Sequence, residues 1–178
     1  MDKQIDIDHV LNMCEPSSEF FVHLEDNIYG IRFKGFKLRD YQTNEIFHNF
    51  ISDDIYELDY FAENELSYIF PSIILKSQNL GSNITLVVGD HLVKDLTLIE
   101  RHYIDNKLQA NYKFDFPVFL PNSENNVEFM YNVPQLSKET QDNLDKGGEI
   151  NAKSDTFIFV EGKLMIHRRT NYIYTSCV

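Results

Sequence analysis

One stretch of strict alternation constrains the fold of this 178-residue chain more than any other feature. In NKLQANYKFDFPVFLP (106–121), every second residue from position 108 to 120 is apolar, and most of the residues between them are polar. Successive side chains of a β-strand point to opposite faces, so this pattern predicts a long strand with one buried face. The predicted inward set is Leu108, Ala110, Tyr112, Phe114, Phe116, Val118 and Leu120.

A second long strand is predicted in LTLIERHYIDNKL (96–108), and it carries an anomaly. Leu96, Leu98, Glu100, His102 and Ile104 share one face of that strand. Since the set is mostly apolar, this face should point inward. The pattern therefore predicts a carboxylate and an imidazole inside the protein, two strand positions apart.

The run NIYGIRFKGFKLRD (27–40) changes its alternation in the middle. Phe33 has the same parity as Tyr29 and Ile31, whereas Phe36 has the opposite parity. One extra residue at Lys34-Gly35 would bring Phe36 onto the face of Phe33. Glycine is common where a strand carries such a bulge, so a β-bulge is predicted here.

The remaining runs predict short strands separated by turns. They are NEIFHNFI (44–51), LSYIFPSIIL (66–75, with Pro71 at a bend or an edge), NITLVV (83–88), TFIFV (156–160) and KLMIHRRTNYIYT (163–175). Gly89-Asp90 predicts a hairpin turn after NITLVV, and Glu161-Gly162 predicts another. Eight or nine strands of this kind favour an all-β sandwich.

Two segments have helical composition, and one long connection is acidic. A short helix is predicted around residues 8–13, ended by Pro16, and a second one in PQLSKETQDNLDKGG (134–148), ended by Gly147-Gly148. The acidic 52–65 stretch is predicted to be a connection. We expect an N-terminal helical segment at 1–20 and one β-sandwich domain at 21–178.

Composition limits the classes of binding partner and the cellular compartment that suit this chain. Lysine and arginine number 16 against 28 aspartates and glutamates, a net charge of −12, which argues against nucleic acid and against direct insertion into an anionic membrane. A basic peptide would be a suitable partner. Two distant cysteines, Cys14 and Cys177, indicate no disulfide framework and favour the cytoplasm. No secretory signal or membrane-spanning stretch is recognisable.

Glu100 and His102 form the one constellation that could carry chemistry. The six histidines lack metal-ligand spacing, so neither a metal nor another cofactor is expected. One hypothesis is a structural pair, because a buried charge needs a partner. Another is an acid–base enzyme with Glu100 as general base, although no nucleophile or oxyanion donor stands at a recognisable spacing.

The third hypothesis is a ligand site. A carboxylate and an imidazole at the floor of an apolar cavity suit an apolar ligand that ends in hydrogen-bond donors. A fatty acyl chain on a peptide N-terminus has this character, because amide N–H groups follow the lipid. A buried acceptor without a donor costs roughly 1–3 kcal/mol, so the pair would discriminate against ligands that lack those donors.

ERHY (100–103), preceded by VVGD (87–90), resembles the Unc one-nineteen family of lipid-binding chaperones, sister to the phosphodiesterase delta subunit. The resemblance runs in order over roughly residues 5–175. Its other pieces are DHVLNM (8–13), DNIYGIRFKGFKLRD (26–40), FDFPVFLPNSENN (114–126), EFMYNVPQLS (128–137) and SDTFIFVEGKLMIHRRTNYIYT (154–175).

This resemblance implies an immunoglobulin-like β-sandwich with a lipid-binding pocket between its sheets and no catalysed reaction. The pocket would take the myristoyl group of N-terminally acylated cargo proteins, which the chaperone solubilises and moves between membranes as a GDI-like solubilising factor. A GTP-loaded Arf-like small GTPase would eject the cargo, often at cilia. The chaperone is expected to be monomeric and cytoplasmic, with association at cilia.

The resemblance also implies roles for individual residues. Glu100 and His102 would stand at the polar end of the pocket and accept hydrogen bonds from the amides around the first glycine of the cargo. Tyr68 and Tyr131 match tyrosines near that end. The lipid channel would be lined by Phe33, Phe36, Leu80, Phe114, Phe116, Ile74, Val118 and Ile158.

Departures from the family pattern mean that the resemblance does not define which lipid is bound. Aliphatic side chains replace aromatic ones at Ile74, Val118, Val133 and Ile158, so an acyl-length preference does not transfer. The acidic 52–65 stretch has no counterpart that aligns. A carrier of prenylated proteins is the alternative within this class, and a small hydrolase or isomerase that uses Glu100 as base is the alternative outside it.

Overall fold

The computed structural model describes residues 5–52 and 65–176. Cys177 and nearly all of the acidic 52–65 stretch lie outside these residues. Within these residues, two α-helices, α1 (Ile7–Leu11) and α2 (Lys138–Asp145), and 3-10 helices at Leu24–Asp26 and Ser72–Lys76 accompany the strands. The strands are β1 (Arg32–Asp40), β2 (Ile46–Ile51), β3 (Glu65–Pro71), β4 (Asn79–Val87), β5 (Val93–Ile104), β6 (Lys107–Phe119), β7 (Glu124–Asn132), β8 (Ile150–Val160) and β9 (Lys163–Thr175).

These strands form two sheets, which confirms the predicted all-β sandwich. One sheet has the order β2-β1-β4-β7 and the other has the order β3-β9-β8-β5-β6. Neighbouring strands are antiparallel except for β3, which runs parallel to β9 at the edge of the five-stranded sheet. That edge position fits Pro71 at the end of β3, because proline cannot donate a hydrogen bond to a neighbouring strand.

Apolar side chains from both sheets fill much of the space between them. Leu86 comes from the four-stranded sheet, and Leu98 and Ile158 come from the five-stranded sheet. The ring of Phe114 lies 4.2 Å from that of Phe129 across the sandwich. Packing of this kind is the main source of stability for a sandwich, because a single sheet cannot bury its own apolar face.

The predicted bulge in β1 is confirmed. Phe33 pairs with Leu86 and Gly35 pairs with Thr85, so Lys34 is the additional residue. The extra residue turns both Phe33 and Phe36 toward the core. Glycine fits at position 35 because a Cβ atom there would lie 3.0 Å from the carbonyl oxygen of Phe50 on β2.

The alternation of β6 is confirmed from Ala110 to Phe116, whereas Leu108 and Leu120, which were also predicted to face inward, are 37% and 64% exposed. Val118, predicted to face inward, is 49% exposed, and Phe119 is buried in its place. The opposite strand shows the same inversion, with Leu96 and Val93 buried but Lys94 and Asp95 exposed. Asp95 has a left-handed backbone (φ +48°). At this point the inward-facing and outward-facing positions change places in both β5 and β6. The prediction that Val118 lines an internal channel is therefore wrong.

One predicted turn is present and another is not. Glu161 and Gly162 both have positive φ and connect β8 to β9 in a tight hairpin, as predicted. Gly89-Asp90 does not form a hairpin turn, because β4 and β5 belong to different sheets. The glycine instead lies against the chain at Tyr29: its N–H donates to the Tyr29 carbonyl at 2.9 Å.

The N-terminal segment covers the outer face of the five-stranded sheet. Helix α1 is present but ends at Leu11, earlier than predicted. Val10 packs on Ile99 and Phe157, and the segment continues to contact this face as far as Val22. Both faces of β5 are thus buried. Helix α2 is confirmed, with Ser137 accepting from the Thr140 N–H as its N-terminal cap.

Candidate functional site

Glu100 and His102 lie side by side on the inner face of β5, as their alternation predicted. His102 Nε2 is 3.3 Å from Glu100 Oε2. The side chain of Glu100 is 13% exposed and that of His102 is 33% exposed. Tyr131, on β7 of the opposite sheet, donates a 2.8 Å hydrogen bond to the same oxygen of Glu100. The three polar groups therefore form one cluster that bridges the two sheets.

The carboxylate alters the tyrosines around it. Burial raises the pKa of Tyr131 well above its ordinary value of 10, and the negative charge of Glu100 raises it further. Burial and then the same charge also raise the pKa of Tyr112 and of Tyr172. All three phenols therefore keep their protons at neutral pH and can act as hydrogen-bond donors.

One oxygen of Glu100 remains open to a ligand. Both hydrogen bonds described above end on Oε2. In the described part of the chain no donor reaches Oε1. A carboxylate can accept about four hydrogen bonds, so the site has spare acceptor capacity beside a partly exposed imidazole. This arrangement suits a ligand that brings N–H groups.

A cavity of about 140 Å³ lies in front of this cluster. Glu100, His102 and Tyr131 line it together with Phe36 and Leu80, two of the residues that sequence predicted for a lipid channel. Val133, one of the aliphatic departures, is also on its wall. A polar floor and largely apolar walls are typical of a small-molecule site, in which a few polar groups fix orientation.

A smaller void of about 70 Å³ continues between the sheets on the other side of Glu100. Phe33, Phe36 and Tyr68 contribute to its walls, as do Leu66 and Ile84. Two voids that share Phe36, Glu100 and Tyr172 thus extend from the polar cluster into the sandwich. Tyr68 stacks on Phe70 with parallel rings 5.5 Å apart.

Besides the exposed Val118, four of the predicted channel residues line neither void. Phe114 and Phe116 pack against Phe129, with ring centroids 4.2 and 6.0 Å apart. Ile158 belongs to the same core, and Ile74 belongs to a cluster with Leu38 and Phe70. The structure therefore brings together the polar end of the predicted site and its nearest channel residues. The more distant predicted residues belong to the packed interior.

Sequence reasoning missed the aromatic wall that faces His102. The Tyr112 ring meets that of His102 nearly edge-on at 5.6 Å, and the Tyr172 ring is nearly parallel to it at 6.5 Å. Tyr112 stood in the inward alternation of β6, so its position was available from the pattern. Tyr172 gave no such signal, because β8 and β9 carry apolar and polar residues without regular alternation.

Two features are absent from residues 5–52 and 65–176, a metal site and a membrane-spanning helix. No group of three histidine, cysteine, aspartate or glutamate side chains is placed to hold a metal ion. No helix there has the length and apolar character needed to span a bilayer.

The chain is similar to proteins of one known family. Residues 25–174 match the family model described as GMP-PDE, delta subunit. Protein unc-119 homolog B-A of Xenopus laevis is 33% identical over 182 residues, covering 97% of this chain and 75% of the relative. The human unc-119 homolog B is 33% identical over 95% of this chain and 71% of its own length. Unc-119 of Caenorhabditis elegans is 31% identical over 92% and 73%.

Proposed function

This chain belongs to the GMP-PDE delta-subunit family as a relative of the unc-119 proteins, and from this membership we propose that it carries N-myristoylated proteins. Family membership supports a role in lipid binding and trafficking. Proteins of this family are binding and transport factors rather than enzymes, which excludes Glu100 as the base of a hydrolase or isomerase. The proposal concerns which lipid is bound and how it is released.

The open oxygen of Glu100 is the observation that carries the proposal. Oε1 and the partly exposed His102 present acceptors in the lining of a largely apolar cavity. An N-myristoylated protein offers an acyl chain for the cavity and, next to it, the amide N–H groups of its first residues. A farnesylated C-terminus offers an ester beside its lipid and fewer donors at that position. The polar cluster therefore favours an acylated N-terminus.

Polar contacts also explain how a carrier could compete with a membrane. Burial of an acyl chain contributes about 0.8 kcal/mol per CH₂, in a protein pocket and in a bilayer alike. The apolar contribution therefore largely cancels when cargo moves from membrane to carrier. Hydrogen bonds from cargo amides to Glu100 and His102 have no equivalent in the bilayer interior, so they would shift the equilibrium toward the carrier.

A titration with an N-myristoylated glycine peptide tests this role of Glu100. Glu100→Ala should weaken binding at least tenfold, because the cargo amides lose a charged acceptor, and circular dichroism should show an intact fold. Glu124→Ala is the matched control, since Glu124 is exposed and pairs with Lys34 at the surface. An unacylated peptide and a C-terminally farnesylated peptide complete the set. Equal affinity of wild type and Glu100→Ala would refute the proposed polar floor, and tighter farnesyl binding would favour the prenyl carrier.

Release would require a partner that prefers the empty carrier. We propose a GTP-loaded Arf-like small GTPase, which would dock by pairing with an edge strand. Within residues 5–52 and 65–176, the end strands of the two sheets are β2 and β7 in one and β3 and β6 in the other. Coupling between two ligands is reciprocal and is typically about 1–3 kcal/mol, which corresponds to roughly 5- to 150-fold in affinity.

Stopped-flow measurement of peptide dissociation would test this release step. A GTP-loaded Arf-like GTPase should accelerate dissociation of a fluorescent myristoylated peptide at least fivefold, and the GDP-loaded form should not. Equal rates with both nucleotide states would contradict the release mechanism. We further propose residence in the cytoplasm with delivery of cargo to cilia. Enrichment of the tagged protein and its cargo in cilia, and loss of cargo there on depletion of the carrier, would support that part.

A further inference from the structure

A separate cavity of about 300 Å³ lies away from Glu100, between the segment at residues 22–27, the start of β1 and residues 165–168 of β9. Its walls carry two arginines, Arg32 and Arg168, and no aspartate or glutamate. The rest of its lining is largely apolar. Such a concentration of positive charge without a carboxylate is unexpected in a chain with a net charge of −12.

Arg168 is a buried cation without a polar partner. It is only 9% exposed and lies on the inner side of the five-stranded sheet, with its guanidinium carbon 4.3 Å above the centre of the Phe33 ring. Burial lowers the pKa of Arg168 to about 10, so the group is still protonated at neutral pH. Within the described residues its guanidinium has neither a hydrogen bond nor an ion pair. The ring face attracts the cation but supplies no lone-pair acceptor for its five N–H donors.

Arg32 adds a second unused donor at the same cavity. Its Nε atom is buried and lacks a hydrogen-bond partner. The other three arginines of the chain are all engaged: Arg39 with Glu128, Arg169 with Glu65, and Arg101 with backbone carbonyls. Leaving a buried charged donor unsatisfied costs several kcal/mol unless something else provides the acceptor. The unbonded Nε of Arg32 and the buried, unpaired guanidinium of Arg168 lie on the walls of one cavity, and together they point to a ligand that supplies acceptors.

We propose that this cavity binds a phosphate monoester attached to an apolar molecule. A phosphate monoester carries close to two negative charges at neutral pH, which match the two guanidinium groups. Guanidinium groups bind phosphate oxygens through paired, planar hydrogen bonds. The apolar part of the ligand would contact Val22, Leu24 and Met165 on the same walls.

The proposed phosphate site is opposite in polarity to the cluster at Glu100. Arg168 also borders the 70 Å³ void that reaches Glu100, so the two sites lie at opposite sides of one interior space. Glu100 presents acceptors for a ligand rich in donors, whereas Arg168 presents donors for a ligand rich in acceptors. The phosphate site consequently does not depend on which lipid the Glu100 cavity holds.

Calorimetric titration of the full chain with n-octyl phosphate at constant ionic strength tests the proposal. Arg168→Met and Arg32→Met should each weaken binding at least tenfold. Arg169→Met is the matched control, because it removes the same charge from the next residue, which lies on the outer side of the sheet against Phe20. Its affinity should equal that of wild type, and so should the affinity of Glu100→Ala. Arg168→Lys keeps the charge but loses the planar pair of donors, and it should bind weakly even if the methionine variant fails to fold.

Titrations with inorganic phosphate and n-octanol separate the possible sources of binding. Tighter binding of octyl phosphate than of inorganic phosphate, lost in both arginine variants, supports an amphipathic phosphate ligand. Equal binding of the two, again lost in both variants, supports the site with the free anion as its ligand. The proposal is overturned if wild type binds neither phosphate. It is also overturned if octanol binds as tightly as octyl phosphate, or if binding persists in Arg168→Lys and Arg32→Met.

Discussion

Tyr131 on one sheet donates a 2.8 Å hydrogen bond to Glu100 on the other, and both side chains line the cavity. The phenol holds Oε2, which fixes the carboxylate and leaves Oε1 for the proposed ligand. The same bond reduces the cost of keeping a carboxylate inside a sandwich. Under the proposed function, this pair would couple the stability of the fold to ligand recognition.

Removal of the Tyr131 hydroxyl should lower the stability of the fold. We expect Tyr131→Phe to lower the free energy of unfolding by about 2 kcal/mol, because a largely buried carboxylate loses its cross-sheet donor. Urea denaturation followed by circular dichroism measures the change. Tyr112→Phe is the control, since its hydroxyl donates to the neutral carbonyl of Asn132 at 2.7 Å. That variant should lose about 1 kcal/mol or less, and an equal loss in both would contradict the special role of Tyr131.

The inversion of β5 and β6 leads to a contrast between adjacent residues. Phe119→Ala should lower the free energy of unfolding by about 3–5 kcal/mol, because Phe119 is 7% exposed and packs in the core. Val118→Ala should change it by no more than about 0.5 kcal/mol. Thermal and urea unfolding of the two variants measure the difference. If Val118→Ala lowered the free energy of unfolding by clearly more than about 0.5 kcal/mol, Val118 would be packed inside and the alternation would run unbroken to the end of the strand.

Particular residues show how far sequence alone could lead. Alternation placed Glu100 and His102 inside, and the change of parity around Lys34-Gly35 located the bulge, because both signals depend on neighbours along one strand. The donor to Glu100 comes from a strand of the other sheet, and strand pairing across a sandwich leaves no local pattern. The left-handed backbone at Asp95 could not be predicted either. Aspartate tolerates that conformation but also adopts the ordinary ones, so its presence in the sequence does not indicate it.

The burial of the outer face of β5 also could not be predicted from the local sequence pattern. Thr97, Ile99, Arg101 and Tyr103 alternate with the inner set, and a mixed polarity of this kind ordinarily faces solvent. The N-terminal segment covers them by a contact between residues about 90 positions apart. Arg101 on this face donates to the carbonyls of Leu11 and Met13 and to the Tyr103 hydroxyl. A charge at this position would ordinarily predict exposure to solvent, whereas Arg101 is 1% exposed.

Arg101 should consequently control the attachment of the N-terminal segment. Arg101→Ala leaves the carbonyls of Leu11 and Met13 without their donor, so we expect a loss of about 3 kcal/mol and faster amide exchange in residues 5–22. Hydrogen exchange with mass spectrometry would locate the change. Lys76→Ala is the control, because its ion pair with Asp145 is exposed at the surface and contributes at most about 1 kcal/mol. Unchanged exchange in the segment would contradict this role of Arg101.

A second attachment of the segment should be lost in acid. Asp155 Oδ2 accepts from the Ser17 N–H at 2.8 Å, and Oδ1 accepts from the Ser17 hydroxyl at 2.8 Å. Burial raises the pKa of Asp155, but hydrogen bonds from His167 and Ser17 outweigh burial and hold the pKa below its usual 3.8. A carboxyl with a lowered folded-state pKa stabilises the fold above its unfolded pKa. That contribution disappears as the pH falls from about 4 through the folded-state value.

Urea denaturation between pH 7 and pH 2.5 measures this contribution. Wild type should lose more stability below pH 4 than Asp155→Asn, which cannot titrate at this position and should already be less stable at pH 7. Asp145→Asn is the control, because Asp145 is exposed at the end of α2 and its ion pair with Lys76 spans 3.8 Å. Its acid profile should follow that of wild type. If wild type and Asp155→Asn lost the same free energy between pH 4 and pH 2.5, the hydrogen bonds to Ser17 would not depend on an ionised Asp155.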